Sequence, residues 1–243
     1  MRDADNIRDI SALGVDMIGL IFYPQSPRYV QMLSSGAGII PDYAPDMGKT
    51  SLRVGVFVDD MPQNIVTRVY NYKLDYIQLH GNEPRETLEN LRATIDPDIN
   101  PNIKIIKAIS VSSAEDIKKY KEYVGAADLF LFDTKCKTVG GSGEQFDWQV
   151  LQAYDGDVPF LLSGGIGPDD AERIKNFHHP KCIGIDLNSK FEIEPALKDV
   201  EKLKQFLVKV TMFANANAMT TVGRRSLEAL RLQPLGKPPQ CFS

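Results

Sequence analysis

The sequence is poor in the residues that tie a chain together covalently or through a metal. It has three cysteines (Cys136, Cys182 and Cys241), scattered, with neither a disulfide framework nor the paired spacing of a metal site. No metal and no cofactor is expected, and a reducing cytoplasm is the simplest location. Long apolar runs are also missing. None approaches the roughly 20 residues needed to cross a bilayer, and Met1 leads straight into the charged stretch Arg2-Asp3-Ala4-Asp5, unlike a signal peptide. There is no excess of positive charge: 28 Lys and Arg against 32 Asp and Glu leave a net charge of -4, which argues against general nucleic-acid binding.

What is present is alternation. Asp3 or Asp5 can cap a first helix in which Ile7, Ile10 and Leu13 recur at helical spacing until Gly14 stops it. Apolar strands are then predicted over 15–22, 52–58, 75–79, 103–109, 129–133, 159–162 and 182–187. Helices are predicted between them, over 61–72, 84–93, 113–124, 147–154 and 168–176, with a weakly patterned one inside 31–50 and a last one over 195–208. Strand followed by helix, repeated, makes a parallel sheet with right-handed crossovers. The 243 residues suit one α/β barrel of about 250. A closed barrel has eight strands and the chain opens on a helix, so the expected fold is a (β/α)8 TIM barrel lacking its first β-strand. The barrel is expected to span residues 1–210. Residues 211–243, with Asn215, Asn217, Gly223, Gly236, Pro234, Pro238 and Pro239, read as an atypical, disordered extension.

The most telling stretch is Leu129-Phe130-Leu131-Phe132-Asp133. Four apolar residues suggest a strand buried on both faces, and it ends at a carboxylate. A glycine-rich loop, Gly140-Gly141-Ser142-Gly143, follows, then Phe146-Asp147-Trp148, where Asp147 can cap a helix. In a barrel enzyme the chemistry sits at the C-terminal ends of the strands. Phe130 and Phe132 offer an apolar setting there, although alternation puts them on the opposite face from Asp133. Two further strands end in Ser163-Gly164-Gly165 and Asp186-Leu187-Asn188-Ser189, loops of the kind that hold phosphate on backbone N–H groups. Lys107 is open to two readings, a barrel-interior charge or a solvated strand end. His178 and His179 fall at a helix-to-strand turn on the opposite face and are expected to be exposed.

Taken in order, Gly19-Leu20-Ile21-Phe22-Tyr23-Pro24, Ser26-Pro27-Arg28-Tyr29-Val30, Val54-Gly55-Val56-Phe57-Val58, Gln78-Leu79-His80-Gly81, the Asp133 strand with its glycine loop, Leu162-Ser163-Gly164-Gly165 and Gly184-Ile185-Asp186-Leu187-Asn188-Ser189 resemble the phosphoribosylanthranilate isomerases. The likeness runs over about 1–208. It implies an Amadori rearrangement in tryptophan biosynthesis, in which N-(5-phosphoribosyl)anthranilate becomes 1-(2-carboxyphenylamino)-1-deoxyribulose 5-phosphate. The substrate is a small molecule, no cofactor is needed, and the enzyme is a monomer or homodimer with no membrane or nucleic-acid partner.

The resemblance also assigns roles. Asp133 matches the general acid, which must carry its proton to act, a state that burial favours. Arg28 matches the residue holding the anthranilate carboxylate, for which a guanidinium fork is suited. Gly164, Gly165, Asn188 and Ser189 are candidates for the phosphate, Asp186 is expected to orient loop backbone, Gly141 and Gly143 are expected to line the substrate site, and His80 is open to two readings, reaching the substrate or orienting loops. Lys190 stands where a smaller residue is usual and could add charge.

One departure matters. The family begins with a strand ending in Lys-x-Cys-Gly, whose cysteine is the general base, and this chain starts where that Cys-Gly would have finished. Strand and base are therefore expected to be absent, through a misassigned start or a damaged copy, and activity is expected to be impaired. The alternatives are a non-catalytic barrel that still binds a phosphorylated ligand, or another phosphate-binding barrel such as indole-glycerol-phosphate synthase, whose lysine-rich site fits less well.

Overall fold

The computed structural model describes residues 1–31, 51–96, 98–134 and 147–217, with side chains up to residue 210. The helix expected inside 31–50, Gly141 and Gly143 with their loop, and most of 211–243 lie outside the described residues.

Helix α1 (Ala4–Ala12) is capped by Asp3, whose side chain accepts from Asn6 N, and it buries Ile7 and Ile10. It leads to β1 (Met17–Ile21), then β2 (Leu52–Phe57), α2 (Pro62–Tyr72), β3 (Tyr76–Leu79), α3 (Arg85–Ile95), β4 (Lys104–Val111), α4 (Ala114–Ile117), β5 (Leu129–Thr134), β6 (Phe160–Ser163), α5 (Ala171–Asn176) and β7 (Cys182–Ile185). The seven strands pair in chain order, each parallel to the next. This is the expected incomplete α/β barrel. Among the described residues β1 and β7 are its two edges, and the Met1 amino group donates to Gly19 O on the first of them.

Alternation along the strands sorts the core into two layers. Val54, Ile106, Ala108, Leu129 and Leu131 form a cluster drawn from strands alone, the concave face of the curled sheet. The larger cluster joins the other strand faces to the helices and includes Leu20, Phe57, Ile77, Leu79, Ile105, Ile109, Phe130, Phe132 and Phe160. Phe130 and Phe132 thus pack under the helices, with Tyr154, and supply no apolar wall for Asp133, which shares the face of Leu129 and Leu131. Lys107 lies between Ile106 and Ala108, so it points to the helix layer. It is neither in the barrel interior nor solvated, being 2% exposed.

Several elements differ from expectation. The helix predicted over 113–124 is one α-turn, capped by Ser113 and Asp116, continuing as a 3-10 helix over Lys118–Tyr123. The segment after Asp147 is also 3-10, Trp148–Ala153. The last helix does not begin at Pro195: that proline lies between β8 (Glu192–Glu194) and β9 (Leu197–Lys198), a small antiparallel hairpin. Helix α6 (Val200–Asn217) begins after Asp199, whose carboxylate accepts from Lys202 N, and its backbone continues past the boundary expected at 210. His179 is half-buried and not exposed, accepting from Lys181 N at Nδ1 with its ring tilted against that of Phe160; burial pushes its pKa down.

The two edges of the sheet are joined by side chains. Asn6 of α1 donates to Lys198 O at 2.8 Å and accepts from Lys198 N at 2.8 Å. Arg28, in the loop after β1, meets Glu192 of the hairpin that follows β7.

Candidate active site

Because all seven strands are parallel, their C-terminal ends share one rim. Asp133 lies one residue before the end of β5 and His80 follows β3, and His80 Nε2 lies 3.4 Å from Asp133 Oδ2. The side chains are 33% and 21% exposed, so the pair is reachable from solvent yet largely enclosed. Behind it, Gln78 Nε2 is 2.9 Å from His80 Nδ1. Gln78 is buried and, by strand alternation, shares its face with His80.

The loop carrying His80 is anchored from the helix layer. Lys107 Nζ donates to Leu79 O at 3.3 Å and to Gly81 O at 2.7 Å, the carbonyls on either side of His80, and to Glu83 Oε2 at 2.9 Å. Glu83 Oε1 in turn accepts from Asp59 N at 2.8 Å, and its carboxylate accepts from Gly81 N. The ion pair is 3% and 2% exposed, and each of its groups is hydrogen-bonded, as a buried pair requires. Asp59, at φ 47, also accepts from Asn82 N, tying the loop after β2 to the loop after β3.

One of the two expected phosphate loops, at Gly164-Gly165, approaches the end of β5 next to Asp133. Gly164 has φ 106, and a Cβ there would strike the backbone oxygen of Thr134, next to Asp133, so the loop can lie this close only as glycine. Gly165 has φ 63 and is exposed. Thr134 Oγ1 donates to Ser163 O, and Ser163 Oγ donates to Asp186 Oδ2 at 2.9 Å, linking the ends of β5, β6 and β7. The partner of Asp186 is thus a side-chain hydroxyl at the end of β6, not the loop backbone.

Asn188 is held by Lys198, whose Nζ donates to Leu187 O, Asn188 O and Asn188 Oδ1 at 3.3, 3.0 and 3.0 Å and reaches Glu192 Oε1 at 3.4 Å. Burial pushes the Lys198 ammonium down, against the pull of Glu192. Ser189 and Lys190 are exposed. Arg28 engages Glu192 side-on, with Nε 3.0 and 2.9 Å from the two carboxylate oxygens and Nη2 2.6 Å from Oε2. Burial pushes the Glu192 carboxyl up, but the Arg28 bonds and the charges of Lys198 and Arg28 hold it below its ordinary value.

The site residues thus fall into two groups on one rim: His80 with Asp133, and Arg28 with Asn188 through Glu192 and Lys198. The residues missed by sequence reasoning are the supports, Glu83, Glu192 and Lys198. Glu192-Ile193-Glu194 alternates as a short strand would, and Asp199 marks a helix start, which together could have placed the hairpin. Among the described residues no group of His, Cys, Asp and Glu could hold a metal, and no helix is long and apolar enough to cross a membrane. Cys182, at the opposite end of its strand from the rim, has a thiol pushed up to about 11 by burial.

Residues 1–209 match the family model described as N-(5'phosphoribosyl)anthranilate (PRA) isomerase. The chain is 46% identical over 211 residues to the N-(5'-phosphoribosyl)anthranilate isomerase of Parabacteroides distasonis, covering 86% of this chain and 90% of that one. It is 41% identical to the corresponding protein of Phocaeicola vulgatus, over 85% of this chain and 93% of that one. Among solved structures, a phosphoribosyl anthranilate isomerase in complex with reduced 1-(o-carboxyphenylamino)-1-deoxyribulose 5-phosphate superposes with a TM-score of 0.68 at 27% identity, covering 87% of this chain and 95% of that one. The Thermotoga maritima isomerase gives 0.68 at 28% identity, over 87% and 96%.

Proposed function

This chain belongs to the N-(5'-phosphoribosyl)anthranilate isomerase family, enzymes of tryptophan biosynthesis, and we propose that its rim is built to open the ribose ring of phosphoribosyl anthranilate with Asp133 as the proton donor. The observation that carries this reading is the placement of Asp133 on the concave face at the end of β5, beside Gly164 and within 3.4 Å of His80. The substrate nitrogen pushes its lone pair toward C1, the C1–O bond breaks, and the ring oxygen takes the proton from Asp133. Removal of the C2 proton from the resulting Schiff base gives an enolamine, which gains a proton at C1, loses the enol proton and becomes the open-chain aminoketose.

Arg28 is the ligand for the anthranilate carboxylate. Glu192 uses its side-on edge at Nε and Nη2, and a guanidinium has a second, end-on edge at Nη1 and Nη2 for another carboxylate. The phosphate is held by the loops at Gly164-Gly165 and Asn188-Ser189, where close backbone approach and exposed N–H groups suit an oxyanion. The protein works in the cytoplasm, as a monomer or homodimer, on this small molecule.

The base is the weak point of the site. The family's general base is a thiol, and the one free thiol among the described residues, Cys182, lies away from the rim and is held neutral by burial. The family's Lys-x-Cys-Gly does not occur in residues 1–243, so they should bind a substrate-like phosphate and isomerise little. The test is calorimetric binding of the reduced product analogue beside a turnover assay, on the chain and on Asp133→Asn. Binding retained by both with turnover absent or weak is expected; full isomerisation by the chain would overturn the missing-base proposal. In a version that turns over, activity surviving Asp133→Asn would remove Asp133 from the chemistry.

A further inference from the structure

We propose that Gln78 is a positioning residue that fixes His80 as its Nε2–H tautomer, so that His80 hydrogen-bonds the carboxylate Asp133 leaves when it gives up its proton. The inference rests on reading Asp133 as the acid, and it concerns a residue pair to which that reading gives no task.

The donors run in one direction. Gln78 Nε2, an amide N–H, faces His80 Nδ1 at 2.9 Å. A neutral imidazole has one donor and one acceptor nitrogen, so an N–H directed at Nδ1 makes Nδ1 the acceptor and leaves the proton on Nε2. Nε2 is the nitrogen that faces Asp133 Oδ2 at 3.4 Å. Ionised carboxylate only accepts, so the chain of bonds ends on the group where negative charge appears. As the Asp133 O–H bond breaks and its proton passes to the ring oxygen, the electron pair stays on the carboxylate. An aligned Nε2–H meets that charge without reorganisation.

The framework around the pair is built to hold it. Gln78 is 8% exposed, and Lys107 binds the carbonyls of Leu79 and Gly81, the peptide groups flanking His80. Glu83 holds the Gly81 N–H as well. The imidazole is thus fixed at its backbone by an ion pair on one side of the sheet and at its Nδ1 by an amide on the other. His179 supplies an internal standard: its Nδ1 accepts from a backbone N–H, Lys181 N, and its Nε2 faces Tyr154 O, which only accepts, so its tautomer is the same one by necessity.

The experiment is 15N-detected NMR of the full chain at a pH where imidazole is neutral, which requires no turnover. His80 is assigned from the resonances lost in His80→Gln. The expected native pattern is an unprotonated Nδ1 and a protonated Nε2, matching His179. Gln78→Met keeps side-chain volume but removes the amide donor, and should give a mixture of tautomers. Gln78→Glu places an acceptor at Nδ1 and should move the proton there or produce imidazolium. Nδ1–H in the native chain would overturn the proposal, as would a native pattern unaltered by both variants. In a version that turns over, Gln78→Met should lower kcat about tenfold with KM little changed, the size expected for one charge-directed hydrogen bond. An unchanged kcat with a shifted tautomer would overturn the link to the acid. If Asp133→Asn leaves turnover intact while the tautomer pattern stands, the reading of Asp133 has failed and not the lock.

Discussion

The two halves of the rim are held by ion pairs of similar chemistry but unlike context, one buried and one part-buried. At the His80 corner, Lys107 and Glu83 are 24 residues apart and join β4 to the loop after β3, strands whose ladder is already hydrogen-bonded. At the seam, Arg28 and Glu192 are far apart in sequence and bridge edges that share no ladder among the described residues. The first pair therefore shapes a loop on a sheet that exists without it. The second, with Asn6 and Lys198, does work that backbone pairing does elsewhere. A contact's bond lengths do not reveal this difference; what lies beneath it does.

The sharpest way to break the comparison is at the corner. Lys107→Met removes the cation, leaves Glu83 buried without its counter-charge, and takes from the Gly81 carbonyl its bond to Lys107. A loss of about 3–5 kcal/mol is expected, the range for breaking one side of a buried pair. Urea unfolding with an unchanged m-value would measure it, and the double variant Lys107→Met with Glu83→Gln should recover part of the loss. A loss under about 1 kcal/mol would mean that the pair is solvated in practice.

The seam should respond less in energy and more in cooperativity. Arg28 is 21% exposed and Lys198 9%, so Glu192→Gln leaves one cation that water can reach and one that keeps its bonds to Leu187 and Asn188, and a loss of about 1–3 kcal/mol is expected. Opening the seam should also lower the m-value, because part of the surface becomes exposed before global unfolding. The pH dependence has a definite sign. Glu192 is held below its ordinary value of 4.5, so its contribution is complete above that pH and is lost as pH falls through the lower folded value. Glu192→Gln should flatten that acid limb, whereas an identical acid limb in both proteins would assign it to other carboxylates.

The corner and the seam also differ in how far the sequence announced them. The strand order, the positions of β1 to β7 and the rim location of Asp133, His80, Gly164 and Asp186 follow from apolar runs that end in polar or glycine residues. Those signals are local, and a buried parallel strand has few other ways to read. Lys107 was ambiguous because a lysine inside an apolar run fits either face until its partner is known, and Glu83 lies in a loop. Glu192 and Lys198 were hidden for a different reason: their partners, Arg28 and Asn6, are near the other end of the chain, and Pro195 imitates a helix start. Whatever depends on pairing across the sheet's edges leaves little trace in local pattern.

The hairpin that presents Glu192 and Lys198 turns on Ala196, which sits at φ 75, a conformation that costs a residue with a Cβ about 1–2 kcal/mol. Ala196→Gly would remove that cost. Against it stand the extra freedom of glycine in the unfolded chain, about 0.5–1 kcal/mol, and the loss of a methyl that is 1% exposed, worth about 0.8 kcal/mol. The terms nearly cancel, so stability should change by no more than about 1 kcal/mol in either direction. Since Ala196 N also donates to Glu192 Oε1, a glycine that relaxed the turn away from Glu192 would weaken the seam as Glu192→Gln does. Chemical denaturation separates the outcomes. An unaltered midpoint and m-value would mean the turn is held by its own backbone. A loss above about 1.5 kcal/mol would mean that the buried methyl, and not the backbone, is what keeps Glu192 and Lys198 in place.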